Sequence, residues 1–350
     1  MLAKDLKKSC YRLVINMSNL KIALEYERGL HFADFTIANL ALNFLDHPYN
    51  TDKKGEPVFH KEGTLHQNEF NSKPHASISS LAEDLLESES TSGSISKNLG
   101  VYNIPISETG AGEGIINPDV QYRTDGYKVI FGQEALDELI KISGIHIHID
   151  QYKPRLVDQF NALTALRPAI ALMSSSSVSY QRKNGVNCHR YKLISDPEEG
   201  VFAKIPENNC YISSIEELKQ RDVERYEAWL QDFSENCEKH GLTVDYFLDN
   251  FGLENTGYPD IRYRPDMGVG TFELRTDDTN TYENVIAKAA LVLGYMNNII
   301  NNKIPVNYTK IDGEYAFSDG QVLLPNEDTL RHYTALGGQH GLEKSENNDY

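Results

Sequence analysis

Glu25-Tyr26-Glu27, Gln67-Asn68-Glu69, His146-Ile147-His148 and Glu273-Leu274-Arg275 share one pattern, with polar or charged groups at alternate positions. On a β-strand such groups stand on one face, roughly 7 Å apart. Neighbouring strands of this kind would line a surface with three or four carboxylates and an imidazole. Converging carboxylates repel unless a cation intervenes, so the surface is expected to hold hard divalent ions, most often for phosphoryl chemistry. Arg275 beside them suits a phosphate oxygen or an acyl phosphate, and Arg262 and Arg264 lie just upstream.

Each residue also has a plainer reading. A single histidine is usually structural, a Glu-x-Glu pair is usually surface, and a lone arginine is usually solvated. The combination argues otherwise. His146, His148 and Asp150 alternate with isoleucines, Glu69 alternates with Gln67 and Asn71, and Glu273 with Thr271 and Arg275.

The elements that must position these residues follow from periodicity. Strands are expected at 21–30 and 64–71, after Gly144, and through Glu273. Apolar spacing predicts helices at about 34–45, at 155–173 with a kink at Pro168, and at 282–302 before Pro305. Ser77 opens a helix to about 87, and residues 133–143 form one that Gly144 ends. Residues 211–240 read as helical, with Ser213 or Ser214 as cap and Gly241 as stop. Residues 51–63 read as a connection. The Ser-rich run 88–97 and the glycines of 108–114 mark 88–126 as a mobile loop or insertion, suited to a lid. Without a βαβ rhythm the fold class is α+β, a mostly antiparallel sheet with helices gathered on one face. A single catalytic domain is expected over 1–338, followed by a polar tail, 339–350.

The chain has 350 residues, enough to bury a core, and no window approaches the roughly 18 apolar residues of a membrane span. A formal net charge of −17 disfavours nucleic acid and anionic membrane as partners. Magnesium held by clustered carboxylates would reverse that sign locally for a polyphosphate. Cys10, Cys188, Cys210 and Cys237 are scattered, which fits a reducing cytoplasm better than a zinc site or a disulfide framework. The charged opening (Lys4, Asp5, Lys7, Lys8) reads as no signal peptide, so a cytoplasmic location is expected.

Several runs, taken in order, resemble the glutamate–cysteine ligase type 2 (carboxylate–amine ligase) family. They are Leu24-Glu25-Tyr26-Glu27, then Asn68-Glu69-Phe70-Asn71-Ser72-Lys73-Pro74, then Gly144-Ile145-His146-Ile147-His148. Further on come Ala165-Leu166-Arg167-Pro168 leading to Ser174–177, Asn187-Cys188-His189-Arg190, and Gly270-Thr271-Phe272-Glu273-Leu274-Arg275. The resemblance runs from about residue 20 to 305. It departs at Asp150, where the family usually has glycine, and in the Ser-rich stretch.

The resemblance implies a glutamine-synthetase-like fold, a curved antiparallel sheet forming a funnel for ATP and two or three Mg²⁺ ions, with Mn²⁺ as a substitute. It implies Glu25, Glu27, Glu69, His146 and Glu273 as metal ligands, and Arg275 with Arg264 as stabilisers of the transferred phosphoryl group. Arg190 and His148 are then expected at the substrate. The implied activity is ATP-dependent amide formation between a carboxylate (L-glutamate) and an amine (cysteine or another amino acid), as in glutathione biosynthesis, in a monomer or a homo-oligomer. Two alternatives are a guanidino phosphotransferase on the same fold and a non-catalytic nucleotide- or metal-binding regulator.

Overall fold

The computed structural model describes residues 20–107, 111–174, 188–195, 211–254, 256–308, 316–318 and 321–340. The charged opening, Cys10, Cys210, residues 175–187 and the tail past 340 lie outside them.

Strand β1 (Ile22–His31) is central because its alternate residues Ile22, Leu24 and Tyr26 are buried in the core, leaving Glu25 and Glu27 to the other face. After a short helix α1 (Ala41–Leu45) come β2 (Phe59–Lys61) and β3 (Gln67–Asn71), followed by α2 (Ile78–Leu99) and β4 (Tyr102–Ile104). Helices α3 (Gln121–Phe131) and α4 (Gln133–Leu139) precede β5 (Gly144–Asp150), and α5 (Leu156–Met173) follows it. Then come α6 (Ile215–Asn236), α7 (Val244–Asn250), β6 (Ile261–Arg264), β7 (Thr271–Asp278) and α8 (Tyr282–Asn301). Strands β8 (Val306–Tyr308), β9 (Ala316–Ser318) and β10 (Gln321–Leu324) make a small second sheet before α9 (Glu327–His340).

The main sheet has the order β2-β3-β1-β5-β7-β6, with β4 also paired to β1, and every described pairing in it is antiparallel. Its outer face is covered by α2, α5 and α8, whose Leu81, Leu85, Phe160, Leu163, Val285, Val292 and Met296 share one core with the sheet. A smaller aromatic core, built by Tyr127 of α3, Trp229 and Phe233 of α6, and Phe247 and Phe251, lies apart from it.

Two expected elements differ. Only 41–45 of the expected 34–45 helix forms, because Asp34 accepts hydrogen bonds from the Thr36 backbone N–H and hydroxyl (3.0 and 2.6 Å) and Phe35 takes φ 62°. That local turn outcompetes the helix. The stretch 88–126, expected as a loop, holds the second half of α2, strand β4 and the start of α3. Ser88, Ser92 and Ser96 recur every fourth residue, so they share one buried helix face. The Ser88 hydroxyl returns to the Leu85 carbonyl (2.8 Å), Ser92 accepts from Asn103 of β4 (2.9 Å), and Gly100 at φ 67° closes the helix. Serine-rich composition is compatible with a helix when its hydroxyls find partners this way.

Arg167 of α5 forms a buried ion pair with Asp260 at the entrance to β6, and Lys288 of α8 forms another with Asp277 of β7. Removing one partner of a buried pair strands the other charge. Asp260→Ala is therefore expected to lower stability by about 3–5 kcal/mol. Denaturant melts that agree with wild type to within about 1 kcal/mol would show that Arg167 finds another partner.

Candidate active site

Strand pairing assembles the site. Glu27 of β1 lies opposite Glu69 of β3, Glu25 lies opposite His146 of β5, and His148 lies opposite Glu273 of β7. Paired residues point to one face, so four separated segments deliver their acids and imidazoles to one surface. Glu25, His148 and Glu273 place ligand atoms within 4.8 Å of one another, as do Glu25, Glu69 and His146, and also Glu27, Glu62 and Glu69. Glu62 was not anticipated. It sits just past β2 in the turn to Gly63, where Asn117 holds its carbonyl (3.0 Å), and no alternation signals such a position.

The hydrogen bonds settle the protonation of the central imidazole. Arg190 Nη2 donates to His146 Nε2 (3.0 Å), so the ring proton is on Nδ1, which meets Glu25 Oε2 (2.6 Å). Glu25 Oε1 lies 3.0 Å from His148 Nε2. Burial pushes Glu25 upward, but the hydrogen bond from His146 and the nearby His148 win and hold it far below the usual carboxylate range. Glu273 is fully buried, which pushes it up, yet Arg275 and then His146 bring it down to about 2.

The other two acids go the opposite way. Burial raises Glu27 despite His146 and Arg190, and burial followed by Glu62, Glu25 and Glu27 raises Glu69 well above the usual range. One end of the cluster is thus an ionised, cation-paired set and the other a crowded acid set. Glu273 Oε2 accepts no hydrogen bond, with Arg264 3.5 Å and Arg262 3.9 Å from it. A hard divalent cation fits this donor set of crowded oxygens, an unsatisfied buried carboxylate oxygen and an imidazole.

Arg190, expected at the substrate, is buried and committed to protein atoms. Its Nε donates to the Arg275 carbonyl (2.8 Å), Nη2 to His146, and Nη1 lies 3.8 Å from Glu27. A register shift in the β5–β7 pairing, between Ile145 and Ile147, helps to place it. Asp277 then faces Lys288, while Asp278 accepts the backbone N–H groups of His189 and Arg190 (2.8 and 2.7 Å). Asp150 turns from the cluster to accept the Lys21 N–H (2.9 Å).

Gly144 makes room for Arg190. A Cβ there would lie 2.7 Å from Nη1 and 2.9 Å from Cζ. The end of a free side chain would yield cheaply, but this one is tied at two nitrogens. Gly144→Ala is expected to cost about 1–3 kcal/mol and to weaken Mn²⁺ binding measured by calorimetry, because Glu27 and His146 lose their fixed positions. Unchanged stability and affinity together would mean that Arg190 does not organise the cluster.

A cavity of about 260 Å³ opens between this acidic face and a second wall carrying Arg123, Tyr127, Leu136, Ile140 and Ile194. Arg123 and Tyr127 are one helical turn apart on α3, and the Tyr127 hydroxyl meets that of Tyr258 (2.8 Å). Arg275 stacks over the Tyr258 ring at 5.5 Å. Among the described residues no helix is long and apolar enough to cross a membrane.

No protein-family model matches the chain, and no curated protein matches it. Among solved structures, a bifunctional glutathione synthetase from Pasteurella multocida gives a TM-score of 0.49 at 12% identity, covering 91% of this chain and 41% of that one. The chain thus spans less than half the length of that enzyme. A glutamate–cysteine ligase from Francisella tularensis, in complex with AMP, gives a TM-score of 0.56 at 14% identity, covering 92% of this chain and 71% of that one. The α+β architecture read from the sequence, a curved and mostly antiparallel sheet with helices on its outer face, is therefore a glutamate–cysteine-ligase-like fold, and the sheet is open.

Proposed function

We propose that the protein is an ATP- and Mg²⁺-dependent carboxylate–amine ligase, with L-glutamate as the acyl donor and cysteine or another amino acid as the acceptor. The observation that carries this reading is the convergence of Glu25, Glu27, Glu69, Glu273, His146 and His148 on one sheet face, joined by Glu62 from the turn after β2, with Arg275 and Arg264 at its edge. The likeness of fold to a glutamate–cysteine ligase supports it.

Glu25, Glu27, Glu69, His146 and Glu273 would hold the ions, and Glu62 and His148 offer further donors. Bound there, Mg²⁺ would neutralise phosphate charge as a Lewis acid, and Mn²⁺ suits the imidazoles as well. A free carboxylate is a poor acyl donor because its leaving group would be oxide. Its oxygen therefore bonds to the γ-phosphorus of ATP as the bond to ADP breaks, giving an acyl phosphate. The acceptor nitrogen then bonds to the acyl carbon, phosphate departs, and the nitrogen gives up one proton. Arg275 and Arg264 stabilise the charge on the transferring group. The apolar wall of Leu136, Leu139, Ile140 and Ile194 keeps water from the acyl phosphate. Arg190 is reassigned from the substrate to positioning Glu27 and His146.

Phosphate release from ATP, measured against a panel of acids and amines, tests the reading. Release that requires both an acid and an amine is expected. A phosphorylated guanidino product would replace the ligase with a phosphotransferase, and nucleotide binding without turnover on any pair would make the protein a regulator.

A further inference from the structure

Glu27, Glu62 and Glu69 place oxygens within 4.8 Å of one another, but their backbones are not held alike. Glu27 and Glu69 sit opposite each other inside the paired ladder of β1 and β3. Glu62 has no such ladder. The β2–β3 pairing runs from Phe59–Phe70 to Lys61–Asn68 and stops one residue short of it, and β2 is the edge of the sheet. Carboxylates this close push apart, and the one able to yield is the one carried on a turn. Glu62 Oε2 accepts the N–H of its neighbour Gly63 (2.9 Å). That bond orients the carboxylate within the turn and does nothing to fix the turn against the sheet.

A strap, residues 111–117, does fix it. At one end the Ile37 N–H donates to the Ala111 carbonyl (3.0 Å), while Asn39 donates through Nδ2 to the Glu113 carbonyl and accepts the Ile115 N–H at Oδ1 (3.0 Å each). At the other end the Leu65 N–H donates to the Ile115 carbonyl (2.7 Å) and the Asn117 N–H to the Gly63 carbonyl (3.0 Å). Asn117 Nδ2 donates to the carbonyl of Glu62 itself (3.0 Å). Between these ends Gly114 packs on the ring of His66, where a Cβ would come within 2.7 Å of Cε1. His66 is buried and neither ring nitrogen has a hydrogen-bond partner, so it gives the strap no polar anchor. The Glu62 end therefore rests on Asn117, whose buried amide also accepts the Asp119 N–H at Oδ1 (3.2 Å). Resting on the cation reading above, we infer that Asn117 is a positioning residue, whose amide holds the Glu62 turn so that Glu62 closes a cation site that the two strands alone leave open.

Asn117→Ser is the test. A serine hydroxyl can still accept the Asp119 N–H, as at a helix cap, but is too short to reach the Glu62 carbonyl. Calorimetry with Mn²⁺ alone compares the full-length wild type, Asn117→Ser, Glu62→Gln and the double variant. Each single change is expected to weaken Mn²⁺ binding by about 10–100-fold, the usual effect of losing a group that orients a ligand. The double variant is expected to bind no more weakly than the worse single one, because both changes remove the same ligand. Any fall in the metal-free melting temperature caused by Asn117→Ser should recur unchanged in the Glu62→Gln background.

Unchanged Mn²⁺ affinity in Asn117→Ser would overturn the inference and leave the ligase reading standing. So would an affinity loss that recurs in full in the Glu62→Gln background, since Asn117 would then act on the fold and not through Glu62. Phosphate release separates the two readings. If Asn117 and Glu62 are coupled in Mn²⁺ binding, yet no acid–amine pair releases phosphate, the positioning role stands and the ligase reading falls. A wild type that binds no Mn²⁺ removes both.

Discussion

Glu69→Gln is expected to raise the melting temperature of the metal-free protein while removing turnover. Burial and three neighbouring carboxylates raise the Glu69 pKa well above its usual value. The folded state therefore binds that proton more tightly than the unfolded chain. The stability it contributes is complete below the unfolded value, near 4.5, and is lost as pH rises through the folded one. Glu27 has the same sign. Glu25 and Glu273 have the opposite sign, since their lowered values contribute stability above the unfolded pKa that is lost on acidification.

The metal-free protein should therefore pass through a stability maximum in mild acid and decline toward pH 8. Glutamine keeps the shape of the neutral acid and cannot ionise, so it should flatten the alkaline decline. Added Mg²⁺ should flatten it in the wild type by taking the place of the proton, and not in Glu69→Gln. The loss of turnover should be about 10³-fold in kcat, roughly 4 kcal/mol of transition-state stabilisation. Thermal scans from pH 5 to 8, with and without Mg²⁺, and phosphate release check both parts. A level curve for the metal-free wild type, or normal turnover in the variant, would remove Glu69 from the proposed cation site.

Arg275→Gln should have a comparable effect by a different route. The guanidinium is the largest influence holding buried Glu273 down to about 2 against the upward push of burial. Without it burial pushes the Glu273 pKa upward. Stability should fall by about 3–5 kcal/mol because a buried charge has lost its partner. Loss of a preorganised cation at the transferring group should cost about 10²–10³ in kcat. The residual activity should climb with pH as Glu273 ionises, more steeply than in the wild type. Arg275→Lys keeps the charge but not the planar fork, so it should recover stability more than rate. A variant that loses rate with no new pH dependence would show that Arg275 does not set the ionisation of Glu273.

Alternation read along single segments determined much of this protein. Ile22, Leu24 and Tyr26 against Glu25 and Glu27, or isoleucines against His146 and His148, assign faces without knowledge of any neighbour, because side-chain direction on a strand has a period of two. The long helices were legible for the same local reason, as was the Ser214 cap, which accepts from the Glu217 N–H. The helix expected at 34–45 and the loop expected at 88–126 were misread where short-range hydrogen bonds of Asp34, Ser88 and Ser92 reversed what composition suggests.

Only the tertiary structure decided that β3, β1, β5 and β7 lie side by side, and in the register that sets Glu27 against Glu69 and His148 against Glu273. It alone brought in Glu62 from a turn and Arg123 from a helix, and turned Arg190 inward under Gly144. Those placements depend on how segments a hundred or more residues apart pack and pair. A local period carries no record of that.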